Sequence, residues 1–243
     1  MHPISAQDML KVWERGACRA PLARALLLLS AADPETSWDD LSALPVGRRD
    51  GLLLTLRQWA FGEKMVSVAD CPACGESLEL IFSVKDVQAE SPDPGSDASP
   101  IHATIDGYEV AFRLPTTTDV AGAVDAADPR IALLDRCIAS VVRDGRDVAV
   151  AELPASVRSA VADQMAEADP QANVHTTVGC PDCAHTWRAD FDVASFFWTE
   201  IEAWAHRTLR QVHRLARTYG WTEDEILALT ASRRQLYMQM IQA

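Results

Sequence analysis

The chain has 243 residues, enough for one large domain or two smaller ones with a buried core. Its longest apolar stretch, residues 26–32, is too short to cross a bilayer, and the N-terminus lacks the basic and apolar regions of a secretory signal. The net charge of −13 argues against a general nucleic-acid binder, because phosphate binding needs clustered Lys and Arg. We therefore expect a cytoplasmic protein with no membrane span and no nucleic-acid partner.

Helical periodicity dominates the first sixty residues. Met9, Leu10 and Trp13 fall on one face of a short helix, and Pro21 has a favourable first-turn position in the next. The segment 33–50 is rich in turn residues and predicts a loop. The segment 51–62, GLLLTLRQWAFG, predicts a helix that ends near Gly62.

Short strands, a linker and a hairpin follow. VSVAD and ESLELIFSV are β-type runs on either side of the turn CPACG. The sequence QAESPDPGSDASP, at 88–100, is an acidic Pro/Ser-rich linker without the apolar residues needed to order itself. Asp106-Gly107 between two β-type runs predicts a hairpin. The next periodic segments predict three helices, at about 118–127, 129–142 and 154–168.

The last seventy residues predict a second hairpin and then only helices. NVHTTV and TWRADFDV surround the turn GCPDCAH as strands. Phe197, Ile201, Leu215 and other apolar residues recur at spacings of three, four, seven and eight, which predicts one long amphipathic helix. Thr222 and Glu225 form a capping-box pattern for a short helix, and a final helix follows.

Four of the six cysteines form two Cys-x-x-Cys turns, Cys71 with Cys74 and Cys180 with Cys183. Such a turn presents two soft thiolates to one ion, and two turns flanked by β-type residues predict a structural zinc ribbon. The ribbon is split, because 105 residues lie between Cys74 and Cys180. Zinc would therefore connect two distant parts of the chain.

Alternative interpretations of the cysteines are weaker. A thioredoxin-like pair would open a helix after a strand, and neither turn does. Four thiolates leave no open position for catalysis at zinc. His175 and His185 could replace a cysteine as ligand, but we expect them to be surface residues. The single cysteines, Cys18 and Cys137, are expected to be ordinary core residues. No catalytic motif is present, which favours a non-enzymatic protein.

The charge is uneven along the chain. Residues 194–243 carry six Arg and five acidic side chains, so the acidity is concentrated in residues 1–193, and this distribution favours a protein partner. Basic residues form a stripe on the long C-terminal helix: His206, Arg207, Arg210, His213, Arg214 and Arg217. The stripe is either a solvated helix face or a docking surface for an acidic partner. Trp198, Trp204 and Trp221 are expected in the core.

The C-terminal string FFWTEIEAWAHRTLRQVHRLARTYGWTEDEILALTASRRQLY resembles the signature of the T-even-type phage baseplate hub assembly proteins, a family also found in prophages and contractile injection systems. LPVGRRDGLLLTLRQWAFG followed by CPACGESLEL is similar to the other typical block of that family. The resemblance covers about the first 85 and the last 65 residues. It implies an assembly factor or component of a contractile-tail baseplate, with other hub or wedge proteins as partners. The resemblance leaves two fates open: the protein leaves after assembly or is retained in the tail particle.

The sequence thus predicts an α+β protein that is mostly helical, with a split four-cysteine zinc ribbon and a small β-hairpin in an inserted middle region. The predicted segments are N-terminal helices and first turn (1–85), linker (86–100), inserted hairpin and helices (101–172), and second turn with C-terminal helices (173–243). Two other classes remain. A zinc-ribbon nucleic-acid-binding regulator would need a basic face near the cysteines, where Asp70, Glu76, Glu79 and Asp182 lie. A hydrolase would show a concave site with clustered titratable groups.

Overall fold

A computed structural model describes residues 1–89 and 100–242. The predicted acidic linker falls largely on residues 90–99, which lie outside the described residues. The helices are α1 (Ala6–Gly16), α2 (Pro21–Ala32), α3 (Trp38–Ala43), α4 (Val46–Phe61), α5 (Val84–Val87), α6 (Thr117–Ala123), α7 (Pro129–Cys137), α8 (Ala155–Ala168), α9 (Val193–Tyr219), α10 (Glu223–Ala228) and α11 (Ala231–Gln242). The strands are β1 (Lys64–Asp70), β2 (Ser77–Ser83), β3 (Ile101–Ile105), β4 (Tyr108–Phe112), β5 (Ile138–Arg143), β6 (Arg146–Asp147), β7 (His175–Gly179) and β8 (Thr186–Asp190).

Within the described residues, the strands form three small antiparallel sheets. Two of these are hairpins, β1–β2 and β7–β8, and the third is a meander with the order β3-β4-β5-β6. Helices hold most of the remaining described residues, so the prediction of a mostly helical α+β protein is confirmed. Within the described ranges, no helix is both long enough and apolar enough to cross a membrane.

The chain divides into two compact units, and the first contains Met1–Glu35 and Val193–Ala243. Its core lies along α9, whose Phe197, Ile201 and Leu215 are fully buried at the predicted helical spacing. Gly16 at the end of α1 is in close contact with the indole of Trp198, and a Cβ there would overlap that ring. The predicted long amphipathic helix and the burial of Trp198 are therefore confirmed. Trp204 and Trp221 are only half-buried, at the edge of this core.

The second unit contains Thr36–Asp192. Its main apolar core lies between the meander sheet and α8, where Phe112, Val110, Val157 and Val161 are buried. The predicted hairpin is confirmed: Asp106 and Gly107 take positive φ angles of 50° and 81°, as a tight two-residue turn requires.

The predicted helix at 129–142 is wrong beyond Cys137. Residues 138–143 instead form β5, which pairs with β4 and buries Ile138 and Val141 in the core. The β-branched residues of this segment suit a pleated sheet, and Asp144-Gly145 makes a second tight turn with φ angles of 49° and 72°. The same Asp-Gly signal that predicted the first hairpin therefore marks this one too.

The predicted loop at 33–50 is also wrong, because it contains α3 and the first turn of α4. Ser37 caps α3 by accepting a hydrogen bond from the backbone N–H of Asp40, 3.1 Å away. In α4 the backbone N–H of Gly47 donates to Asp169 at 2.9 Å, and Arg49 is buried beside Asp50, with Nε 2.7 Å from its carboxylate. These polar residues indicate a turn by composition, but tertiary partners hold them in a helix.

Candidate metal centre

The two Cys-x-x-Cys turns close two similar hairpins. In the first, the N–H of Cys71 donates to the carbonyl of Glu76 at 2.8 Å. In the second, the N–H of Cys180 donates to the carbonyl of His185 at 2.9 Å, the same five-residue offset. Backbone hydrogen bonds thus fix the first cysteine of each pair at the end of a strand, and both turns present their sulfurs in the same way.

A left-handed residue completes each turn directly after the second cysteine. Gly75 has a φ of 78° and Ala184 a φ of 58°, and each donates its N–H to the carbonyl of the first cysteine of its pair. Glycine adopts this conformation without strain, whereas alanine carries a Cβ that disfavours it. The left-handed Gly75 is therefore confirmed, and Ala184 is a strained residue that the sequence did not reveal.

The four sulfurs meet in one cluster. Cys71 Sγ lies 3.7 Å from Cys183 Sγ, Cys74 Sγ lies 3.6 Å from Cys180 Sγ, and all four lie within 4.8 Å of one another. These separations are too long for disulfides, which need about 2.05 Å. Four thiolates at about 2.3 Å from a tetrahedral metal ion would be about 3.8 Å apart, so the cluster fits a metal site.

Burial within the cluster is asymmetric. Cys71 and Cys180, the first cysteine of each turn, are buried at 2% and 3% exposure, whereas Cys74 and Cys183 are exposed. One side of the cluster therefore faces the protein and the other faces solvent.

The close approach of the thiol groups gives Cys71 and Cys74 very different pKa values. Burial alone would raise the pKa of Cys71, but hydrogen bonds from the backbone N–H groups of Cys74 and Ala73 and from neighbouring thiols lower it to about 7. For Cys74, a backbone hydrogen bond from Glu76 opposes the rise, yet the neighbouring thiols and burial raise the pKa to about 12. A divalent cation among the sulfurs would stabilise the thiolate form of all four cysteines, including Cys74, whose pKa is raised without it.

The other predicted metal and cysteine residues lie as follows. His175 and His185 are exposed, as expected, and neither belongs to the four-residue cluster. Cys137 is buried in the core of the meander sheet, where burial raises its pKa to about 11, so its core assignment is confirmed. The core assignment of Cys18 is wrong: it is exposed in the short connection between α1 and α2.

Exposed acidic residues lie close in sequence to the two cysteine turns. The four acidic residues that follow or precede the cysteines are all exposed: Asp70, Glu76, Glu79 and Asp182.

The stripe residues of the first unit are exposed on α9, namely His206, Arg207, Arg210, His213, Arg214 and Arg217. Among the described ion pairs, none involves these arginines, so their charges are available to solvent or to a partner.

The fold and the cluster together define a class of α+β protein in which two cysteine turns, distant in sequence, form one four-thiol site compatible with a metal ion. The sequence from 30 to 198 matches the family described as T4 bacteriophage base plate protein, and the chain belongs to that family. The match includes the middle region and ends at the beginning of α9, so most of the C-terminal string lies outside it. No curated protein and no solved structure matches this chain.

Proposed function

We propose that this protein is a non-enzymatic assembly factor or component of the baseplate hub of a phage-like contractile tail, acting in the cytoplasm where tails are built. The observation that carries the proposal is membership of the T4 base plate family over 169 of the 243 residues. A baseplate is an assembly of many proteins, so the function required of a member is to bind others. The expected partners are hub or wedge proteins.

The four-cysteine cluster supports this function as a structural zinc site. Zinc prefers a closed tetrahedron of soft thiolates when its role is structural, and Cys71, Cys74, Cys180 and Cys183 supply four. In this proposal the ion would fix the β1–β2 hairpin to the β7–β8 hairpin. The protein would thereby gain a rigid surface without a large local core.

The exposed basic stripe on α9 is proposed as a docking surface for an acidic partner. Arg207, Arg210, Arg214 and Arg217 lie at spacings of three and four, so they share one face of the helix. His213 lies beside them and is exposed as well. Exposed charges of one sign steer oppositely charged partners and set the rate of association.

Removal of the gene tests the proposed function. Tail particles are purified from the host without the gene and examined by negative-stain electron microscopy. We expect tubes without baseplates or sheaths, and a plasmid copy of the wild-type gene should restore complete tails. Complete contractile tails in the absence of the gene would overturn the proposal.

A further inference from the structure

The β1–β2 hairpin has one face against the protein and one face in solvent. Neighbouring side chains of a strand point to opposite faces. On the inner face Met65 is fully buried, and its cross-strand neighbour Phe82 packs edge-to-face on Phe191, with ring centroids 5.3 Å apart. The alternate residues form the outer face, and seven of these eight are exposed: Lys64, Val66, Val68 and Asp70 of β1, and Ser77, Glu79, Ile81 and Ser83 of β2.

The outer face is apolar at its centre. Val66 lies opposite Ile81 and Val68 lies diagonal to it, and the three side chains are 44%, 59% and 67% exposed in that order. Val68 and Ile81 also border a groove of about 420 Å³ that the two cysteine hairpins line, and they stay exposed there. A sheet face in solvent normally carries polar side chains at alternate positions. Three adjacent branched aliphatic side chains therefore mark a surface that gains free energy when it is covered.

The β7–β8 hairpin provides a comparison within the same protein. Its corresponding outer residues include no large apolar side chain: His175, Thr177, Gly179, Thr186, Arg188 and Asp190. Arg188 Nη2 lies 2.8 Å from His175 Nδ1, and Arg188 Nε lies 3.7 Å from the carboxylate of Asp190, so the polar groups of this face pair with one another. The two hairpins have the same turn geometry, so the apolar outer face of β1–β2 is not a requirement of a cysteine turn.

The charges of the outer face lie on opposite sides of its apolar centre. Lys64 is at one end of β1, whereas Asp70 is at the other end and Glu79 lies beside it on β2. Among the described ion pairs, none involves these three residues. Along β1 the outer residues are therefore positive, apolar, apolar and negative, and the reversed series is the complement of the original. A contact between identical copies requires this property, because in a two-fold contact residue i meets j and j meets i.

We propose that the outer face of the β1–β2 hairpin binds the same face of a second copy of this chain, forming a two-fold symmetric dimer. The two sheets pack face to face about 10 Å apart, and the two β1 strands run in opposite directions. Lys64 then lies opposite Asp70 of the second copy, and Val66 lies opposite Val68 of the second copy. By symmetry each contact forms twice. The inference goes beyond the proposed baseplate role and does not depend on it.

The size of the outer face sets the strength of the dimer. Two paired strands of seven residues each measure about 24 Å by 10 Å, which is well below the roughly 800 Å² per partner of a standard interface. We therefore expect weak association, with a dissociation constant on the order of 0.1 mM. An assembly that holds several copies close together would favour the contact by raising their effective concentration.

The direct test is sedimentation velocity of the full-length, metal-loaded protein between about 10 μM and about 500 μM. We expect the weight-average sedimentation coefficient to rise with concentration towards that of a dimer and no further, because a two-fold contact is closed. Val68→Thr keeps the branched shape but adds a hydroxyl, and it should weaken association by about fivefold or more. The matched control is Val124→Thr, at a 60% exposed position outside the hairpin, which should leave association unchanged.

Charge reversal tests the two-fold arrangement. Lys64→Glu and Asp70→Lys should each weaken self-association by about fivefold, because each places like charges opposite one another in the dimer. An equimolar mixture of the two variants should recover the association of the wild type, since one copy then has two negative ends and the other two positive ends. Asp70 directly precedes Cys71, so zinc content and circular dichroism are measured for Asp70→Lys. Val68→Thr tests the contact without changing the residue next to the cysteine.

The proposal is overturned by any of four results: a monomer at every concentration up to about 1 mM, growth beyond a dimer, equal weakening by Val68→Thr and Val124→Thr, or a mixture of folded charge variants that does not recover association. These measurements use the purified protein alone. Their failure would therefore overturn the dimer and leave the proposed baseplate role intact, whereas complete tails after gene removal would overturn that role and leave the dimer intact.

Discussion

Gly75 and Ala184 occupy the same position in the two cysteine turns, and both have left-handed backbone conformations, with φ angles of 78° and 58°. Each donates its N–H to the carbonyl of the first cysteine of its turn, at 2.8 Å and 3.0 Å. The two turns are therefore built alike, but only one has the residue that favours the conformation. The difference allows the strain to be measured within a single protein.

Ala184→Gly should stabilise the protein. The change relieves a left-handed strain of about 1–2 kcal/mol, and the greater freedom of glycine in the unfolded chain offsets about 0.4–1 kcal/mol of this. We expect the free energy of unfolding, measured by urea denaturation, to rise by about 0.5–1 kcal/mol. Gly75→Ala is the reciprocal control and should lower it by a similar amount. A loss of stability in Ala184→Gly would contradict the assignment.

Purified protein should contain about one zinc ion per chain by elemental analysis. Cys71→Ser or Cys180→Ser should abolish stoichiometric zinc and lower the free energy of unfolding by several kcal/mol, because metal binding contributes on the order of 10 kcal/mol in small zinc peptides. Cys18→Ser is the matched control, since Cys18 is exposed and outside the cluster. Fully folded protein without any metal would contradict the structural zinc site.

Gly47→Ala should destabilise the second unit. A Cβ at Gly47 would overlap the carboxylate of Asp169 and lie 2.8 Å from the backbone nitrogen of Ala172. Forced shifts in a packed region cost about 1–3 kcal/mol, which we expect as a loss in the free energy of thermal or urea unfolding. Gly179→Ala is the control, because its Cβ would meet nothing within 4 Å. An equal effect of both substitutions would contradict this packing.

The ion pair of Asp119 with Arg113 should make stability depend on pH in the acid range. Burial alone would raise the pKa of Asp119, but hydrogen bonds from Arg113 and Thr116 lower it to about 2. A carboxyl group whose pKa is lowered by folding stabilises the folded protein fully at pH values above its pKa in the unfolded chain, about 3.9. This contribution is lost as the pH falls through the pKa in the folded protein, about 2. Because the side chain of Arg113 is half-exposed and water weakens the interaction, we expect the ion pair to contribute about 1–2 kcal/mol to the free energy of unfolding at pH 7.

Asp119→Asn tests this dependence. Its free energy of unfolding should be about 1–2 kcal/mol lower than that of the wild type at pH 7, and the difference should shrink between pH 4 and pH 2. Asp125→Asn, at an exposed position after α6, should follow the wild type throughout. A difference for Asp119→Asn that stays constant down to pH 2 would show that the carboxylate charge does not contribute.

Local patterns in the sequence were sufficient for elements whose signals are short-range. The Asp106-Gly107 turn, the Thr222 cap with Glu225 and the apolar spacing of α9 all depend on neighbours within one or two turns, and all three are confirmed. The errors occurred where distant partners decide the backbone. Residues 138–143 form a strand because β4 lies beside them, and Gly47 is helical with Asp169 as its partner.

The sequence by itself determined that two cysteine turns exist and that each lies at the tip of a hairpin, because turn residues and β-type runs specify local conformation. Only the tertiary structure decided that the turns, separated by 105 residues, bring their sulfurs within 4.8 Å of one another. It also decided that the β1–β2 and β7–β8 hairpins line a common groove. Both depend on how the intervening chain folds, since contacts between distant segments arise from packing and leave no periodic signal in either segment.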